Sequence, residues 1–198
     1  MTTTSTREYV DVTEAAKLMR AALRDAFPAV KFSVRCERYS MGQSIAVHWT
    51  DGPSPKQVEL VGDQYQGGRF DGMVDLAYSV DHWLSPDGKR AILAHSPGTN
   101  GSHPPEYGER PGLDWRRVHF SVSSVHCSRT ITNYETAIKA AELIIRRWYG
   151  MAPDEIRIGG AGWGEFVQDV ASSMVHHRRD GETLEEVLER RQNRSDWP

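Results

Sequence analysis

The strongest constraint on the fold is a change of hydrophobic period near residue 30. Val12, Ala15, Ala16, Met19, Ala22, Leu23, Ala26 and Phe27 recur every three or four positions, the spacing of a single helix face. From Phe32 the period falls to two. Phe32, Val34 and Cys36 alternate with Lys31, Ser33, Arg35 and Glu37, and Ile45, Val47 and Trp49 alternate with Ala46, His48 and Thr50. A helix followed by an antiparallel hairpin is therefore expected, with Asp11 or Thr13 capping the helix, Pro28 ending it, and Gly42 closing the turn. One face of that hairpin is apolar and the other carries cations.

Further along, Ser54 and Pro55 mark the start of a second helix bearing Val58, Val61 and Tyr65, which Gly67 and Gly68 stop. Phe70 to Val80 reads as a third strand region interrupted at Gly72. Residues 95–115 show no period, are rich in glycine and proline, and read as one long loop, a form that in a compact domain is either functional or a spacer. Val118, Phe120 and Val122 give a fourth strand. Residues 134–149 form a strong amphipathic helix ended by Gly150, with Tyr134, Ala137, Ile138, Ala141, Ile144, Ile145 and Trp148 on its stripe. Ile156–Ile158 is a short strand candidate, 165–178 a helix, and 182–191 a charged terminal helix. The expected architecture is α+β, a single domain with a mainly antiparallel sheet and helices on one face. Its divisions are a disordered leader at 1–8, the domain at 9–178, and a charged terminal helix and tail at 179–198.

Composition narrows the function classes. A chain of 198 residues can bury a core without staples, and two cysteines, Cys36 and Cys127, fit a reducing compartment. No apolar run reaches membrane-spanning length, so a cytoplasmic protein without a membrane partner is expected. With 24 basic and 27 acidic side chains no global field gathers nucleic acid, although a local patch is still compatible with it.

The block from Val12 to Leu76 carries a further signal. The helix ending Ala26-Phe27-Pro28 is followed by Lys31-Phe-Ser-Val-Arg35, by Ser44-Ile-Ala-Val-His-Trp-Thr-Asp-Gly-Pro53 and by Tyr65-Gln-Gly-Gly-Arg-Phe-Asp-Gly-Met73. This block resembles the large polyvalent protein associated domain 29 family over about the first 80 residues. The resemblance implies a protein of a phage or conjugative element that acts in a new host. It carries no catalytic residues to transfer.

The chemical motifs are sparse. Ile158-Gly-Gly-Ala-Gly-Trp-Gly-Glu165 lacks the third glycine of a dinucleotide fingerprint and the lysine of a P-loop, so it reads as a tight turn. Eight histidines show no paired-ligand spacing, and Asp71, Asp75 and Asp81 near His82 are ordinary strand-end carboxylates, so no metal and no cofactor are expected. No nucleophile elbow occurs, and His126 and Cys127 are strand neighbours facing opposite ways. What survives is surface recognition. Lys31, Arg35 and His48 on the polar hairpin face, with Arg38 and Tyr39 at its turn, form the expected binding surface, aided by the 95–115 loop. Blandly read, they solvate an open sheet. The expected partner is a host protein, bound for instance to counter host defence. An RNA- or DNA-binding module is the alternative, and a small enzyme with a site of His95, His103, Asp114 and His119 beneath the loop is another. The terminal helix stripe of Leu184, Val187 and Leu188 suits docking on the body or on a second copy in a homodimer.

Overall fold

The computed structural model describes residues 7–40, 42–132, 134–152, 165–176, 178–179 and 181–192. The expected strand Ile156–Ile158, the glycine-rich run that follows it, and His177 lie outside the described residues. The chain gathers into two compact units, Met1–Trp49 with Lys56–Ser128, and Thr50–Pro55 with Arg129–Pro198. The fold is mixed α+β, and its strand pairings are mostly antiparallel.

In the first unit, helix α1 (Val12–Ala26) starts where Asp11 accepts the backbone N–H groups of Thr13 and Glu14 at 2.6 and 3.0 Å. It ends before Pro28, as the sequence requires. Strands β2 (Ser33–Tyr39) and β3 (Gly42–Thr50) form the expected hairpin, with Val34 opposite Val47 and Cys36 opposite Ile45. Strand β10 (Ser124–Thr130) extends this to a three-stranded sheet in the order β10-β3-β2. Helix α2 (Pro55–Gly62) runs into a turn of 3₁₀ helix whose Tyr65 is fully buried.

A five-stranded sheet has the order β1-β9-β6-β7-β8, built from β1 (Glu8–Val10), β6 (Asp81–Leu84), β7 (Ala91–Ser96), β8 (Glu106–Tyr107) and β9 (Arg116–Phe120). One core joins α1, α2 and both sheets through Met19, Leu23, Ile45, Trp49, Leu84 and Phe120. Several expectations change here. Residues 7 and 8 belong to the body, because Glu8 enters β1 opposite Val118 and Arg7 pairs with the buried carboxylate of Asp81 at 3.0 Å. The region 70–80 is two strands, β4 (Gly68–Asp71) and β5 (Leu76–Ser79), joined by a turn in which Asp75 takes a φ of 50°. The 95–115 segment is not wholly a loop. His95 and Ser96 close β7, residues 106 and 107 pair with them as β8, and the Thr99 N–H donates to the carbonyl of His103 at 2.7 Å.

Two glycines of the quoted motifs are explained by the backbone, one by close approach and one by a positive φ. A Cβ on Gly67 would lie 1.9 Å from the Phe120 carbonyl oxygen, while its own N–H donates to Val122 and its carbonyl accepts from Val80. Gly52 sits at a φ of 80°, next to Asp51 at 54°.

The second unit is a helical bundle of α3 (Tyr134–Tyr149), α4 (Glu165–His176) and α5 (Leu184–Gln192). Ala140, Ala141, Ile144 and Ile145 pack with Val170, Met174, Val187 and Leu188 in its core. Tyr134 departs from the expected stripe and is 59% exposed. The apolar stripe of the terminal helix is thus covered by helices of its own chain. Glu182 anchors that helix through Arg190 at 2.7 Å, and the paired guanidinium and the Arg179 backbone hold its carboxyl down at about 2.

Candidate functional site

The expected binding face forms in part. Ser33 lies opposite His48 and Arg35 opposite Ala46, so Arg35 and His48 share the side of the hairpin away from the core, and both are exposed. His48 Nδ1 sits 3.1 Å from the Ser128 hydroxyl of β10. Lys31 is exposed just ahead of β2, and Tyr39 is exposed at its end. Arg38 departs from the group: it occupies the alternate face, and its guanidinium donates to the Thr13 hydroxyl at 3.1 Å, at the start of α1. Glu37 shares the Arg35 side and dilutes its positive charge.

The four residues of the alternative site do not converge. His95 packs on Tyr107 with ring centroids 5.1 Å apart, and Asp114 is exposed. His119 Nδ1 lies 3.1 Å from the Val80 carbonyl oxygen, beside Asp81. Only His103 of the four lines the hollow that exists beneath this segment. Among the described residues no three His, Cys, Asp or Glu side chains gather to hold a metal ion. Asp71 and Asp81 have other partners: Asp81, 6% exposed at its side chain, is gripped by Arg7, by Arg117 and by His119.

Two features come from the β4–β5 hairpin, which sequence reading took for one interrupted strand. Alternation gives its sides different work. Arg69 and Tyr78 are cross-strand neighbours, and they line an open cleft of about 420 Å³. Val80, Ala91 and Leu93 of the five-stranded sheet region form its apolar floor, and His82, Ser96, His103 and Glu106 line it as well. His82 is 3% exposed, and its Nδ1 has no hydrogen-bond partner among the described residues. Burial first, then the neighbouring Arg69, push its pKa down to about 4 against the pull of Asp81, so the ring is neutral at pH 7. Leaving such a nitrogen unpaired costs roughly 1–3 kcal/mol.

Phe70 stands on the hairpin's other side and Met73 and Val74 at its tip, while Leu76, opposite Asp71, is exposed on the side of Arg69 and Tyr78; Phe70 is 61% and Met73 78% exposed. Asp71 ties this tip to the segment that follows β7. Its carboxylate accepts the Met73 N–H at 2.9 Å, the Ser102 N–H and hydroxyl at 3.0 Å each, and the Thr99 hydroxyl. These bonds, the one from Thr99 foremost, hold its pKa at about 2. The segment 99–102 is thereby tied to the hairpin, and Gly101 lies so close that a Cβ there would meet Asp71 at 2.6 Å and Val74 at 3.0 Å. The sequence cue was available in Phe70-Asp-Gly-Met-Val-Asp-Leu76, five apolar or small residues around two aspartates, but only the turn reveals that they are left outside.

The fold and these surfaces define a mixed α+β protein whose first unit carries a cleft and an apolar hairpin. The chain belongs to the large polyvalent protein associated domain 29 family, whose model matches residues 10–134. That span exceeds the expected 80 residues: it takes in β2 to β10 and stops where α3 begins. Membership associates the chain with phages and mobile elements. No curated protein and no solved structure matches it. Among the described residues no helix is long and apolar enough to cross a membrane.

Proposed function

We propose that the protein is an accessory factor of a phage or mobile element that acts by binding a host protein, with the β4–β5 hairpin as its contact. The observation that supports this reading is the exposure of Phe70, Met73, Val74 and Leu76 along one short hairpin whose turn is braced by Asp71. Exposed apolar patches mark protein contacts, and a braced turn loses little entropy on binding. The cationic face of Arg35 and His48 lies on a different sheet and favours the nucleic-acid alternative, but Glu37 beside it and the acidic balance of the chain weaken that reading.

Affinity capture from host lysate tests the proposal in three forms of the protein, with and without nuclease. The unaltered protein is expected to retain a partner that survives nuclease. Phe70→Ser with Met73→Ser and Leu76→Ser should lose it, and Arg35→Glu with His48→Glu should keep it. Capture abolished by nuclease, or unaffected by the hairpin changes, overturns the proposal.

A further inference from the structure

The cleft beside the hairpin is lined by side chains whose chemistry differs from that of the tip. It is walled by one cation, Arg69, whose guanidinium gives one N–H to the Asp63 carbonyl at 3.3 Å and has donors to spare. An aromatic pair stands in its lining, Tyr78 and His103, with ring centroids 5.8 Å apart and planes inclined at 39°. Ser96 and the exposed carboxylate of Glu106 add a hydroxyl and an acceptor, over the floor of Val80, Ala91 and Leu93. Independently of these, His82 in the same lining is buried with a ring nitrogen that no other described residue satisfies. Such orphans call for a bound molecule or water that completes the pattern.

We infer that this cleft binds a ribonucleoside 5′-monophosphate. A single guanidinium matches one phosphate group, and the acidic Glu106 and Asp63 in the lining oppose a di- or triphosphate. The same carboxylates, acceptors only, suit the hydroxyls of a ribose. The Tyr78–His103 pair offers a flank to a planar base. The volume, about 420 Å³, is that of a small-molecule site. This inference does not depend on the hairpin tip binding a protein, since the two groups of side chains are different.

Titration calorimetry with AMP, GMP, CMP and UMP tests it on the full chain, with the matching 2′-deoxyribonucleoside monophosphates, inorganic phosphate, ribose 5-phosphate, the free nucleosides and the matching triphosphates as controls. At least one monophosphate is expected to bind more tightly than every control. Arg69→Gln should weaken it about tenfold or more, the value of a charge-assisted grip on phosphate. Should that variant fail to fold, Glu106→Gln at an exposed position provides the second arm: it should bring ribo- and deoxyribonucleotide affinities together. Nitrogen-15 spectra of the imidazoles should show the His82 resonances moving on ligand addition. No binding by any of the four at millimolar concentration, phosphate alone binding as well as the nucleotides, or equal affinity for both sugars in the unaltered protein would each overturn the assignment.

Discussion

At the scale of single residues, the structure turns two letters of the sequence into tests. Gly67 has no room for a side chain, because the would-be Cβ falls 1.9 Å from the Phe120 carbonyl oxygen, a backbone atom that cannot step aside. Gly67→Ala should cost roughly 1–3 kcal/mol, the usual range for overpacking, and urea titration reads it as a lower midpoint at unchanged slope. Asp71 makes a prediction about pH. Its folded pKa, about 2, lies below the ordinary 3.8, so the ionised carboxylate stabilises the native hairpin at higher pH, and that contribution is lost as pH falls from near 3.8 through about 2. The Ser102 amide resonance should therefore shift over that interval, and in Asp71→Asn the pH-dependent shift should vanish. The reading from sequence treated Asp71 as an ordinary strand-end carboxylate. Its partners, Thr99 and Ser102, lie some thirty residues away, and nothing local announces them.

At the scale of elements, legibility followed periodicity. Helices α1 and α3 were readable to within a residue because a burial face repeats every turn, and the β2–β3 hairpin was readable because its alternation is clean. Strands β6, β7 and β10 were missed or left insecure. Asp81-His-Trp-Leu84 and Ala91-Ile-Leu-Ala94 have no alternation, since no residue of β6 or β7 is exposed on either face, and β8 is two residues long. Two substitutions separate the roles of elements. Leu188→Ala in α5 removes a side chain that is 3% exposed in the bundle core and should cost roughly 2–5 kcal/mol, seen as a reduced thermal midpoint. Met73→Ser at the hairpin tip, 78% exposed, should stay within about 0.5 kcal/mol of the parent. A large loss there would show that the tip is part of a core and would remove the reason to regard it as a contact surface.

At the scale of the whole molecule, the two thiols report on integrity. Cys36 is exposed, whereas Cys127 is half-buried with its pKa raised to about 12, mainly by burial and then by Glu59 and Asp63. A disulfide reagent should label one thiol quickly in the native protein and two in guanidinium. Two fast thiols in the native state would contradict the packing of β10. The sequence by itself determined the class of fold, the first hairpin, the long helices and the family, because each is written in short-range period or in a contiguous motif. Tertiary structure alone decided where the 70–80 hairpin turns, that Arg38 leaves the cationic face, that His95, His103, Asp114 and His119 do not meet, and that Arg69, Tyr78, His82 and Glu106 do. Those outcomes depend on which distant strands pair and in what register, and a one-residue slip in register sends every side chain to the opposite face.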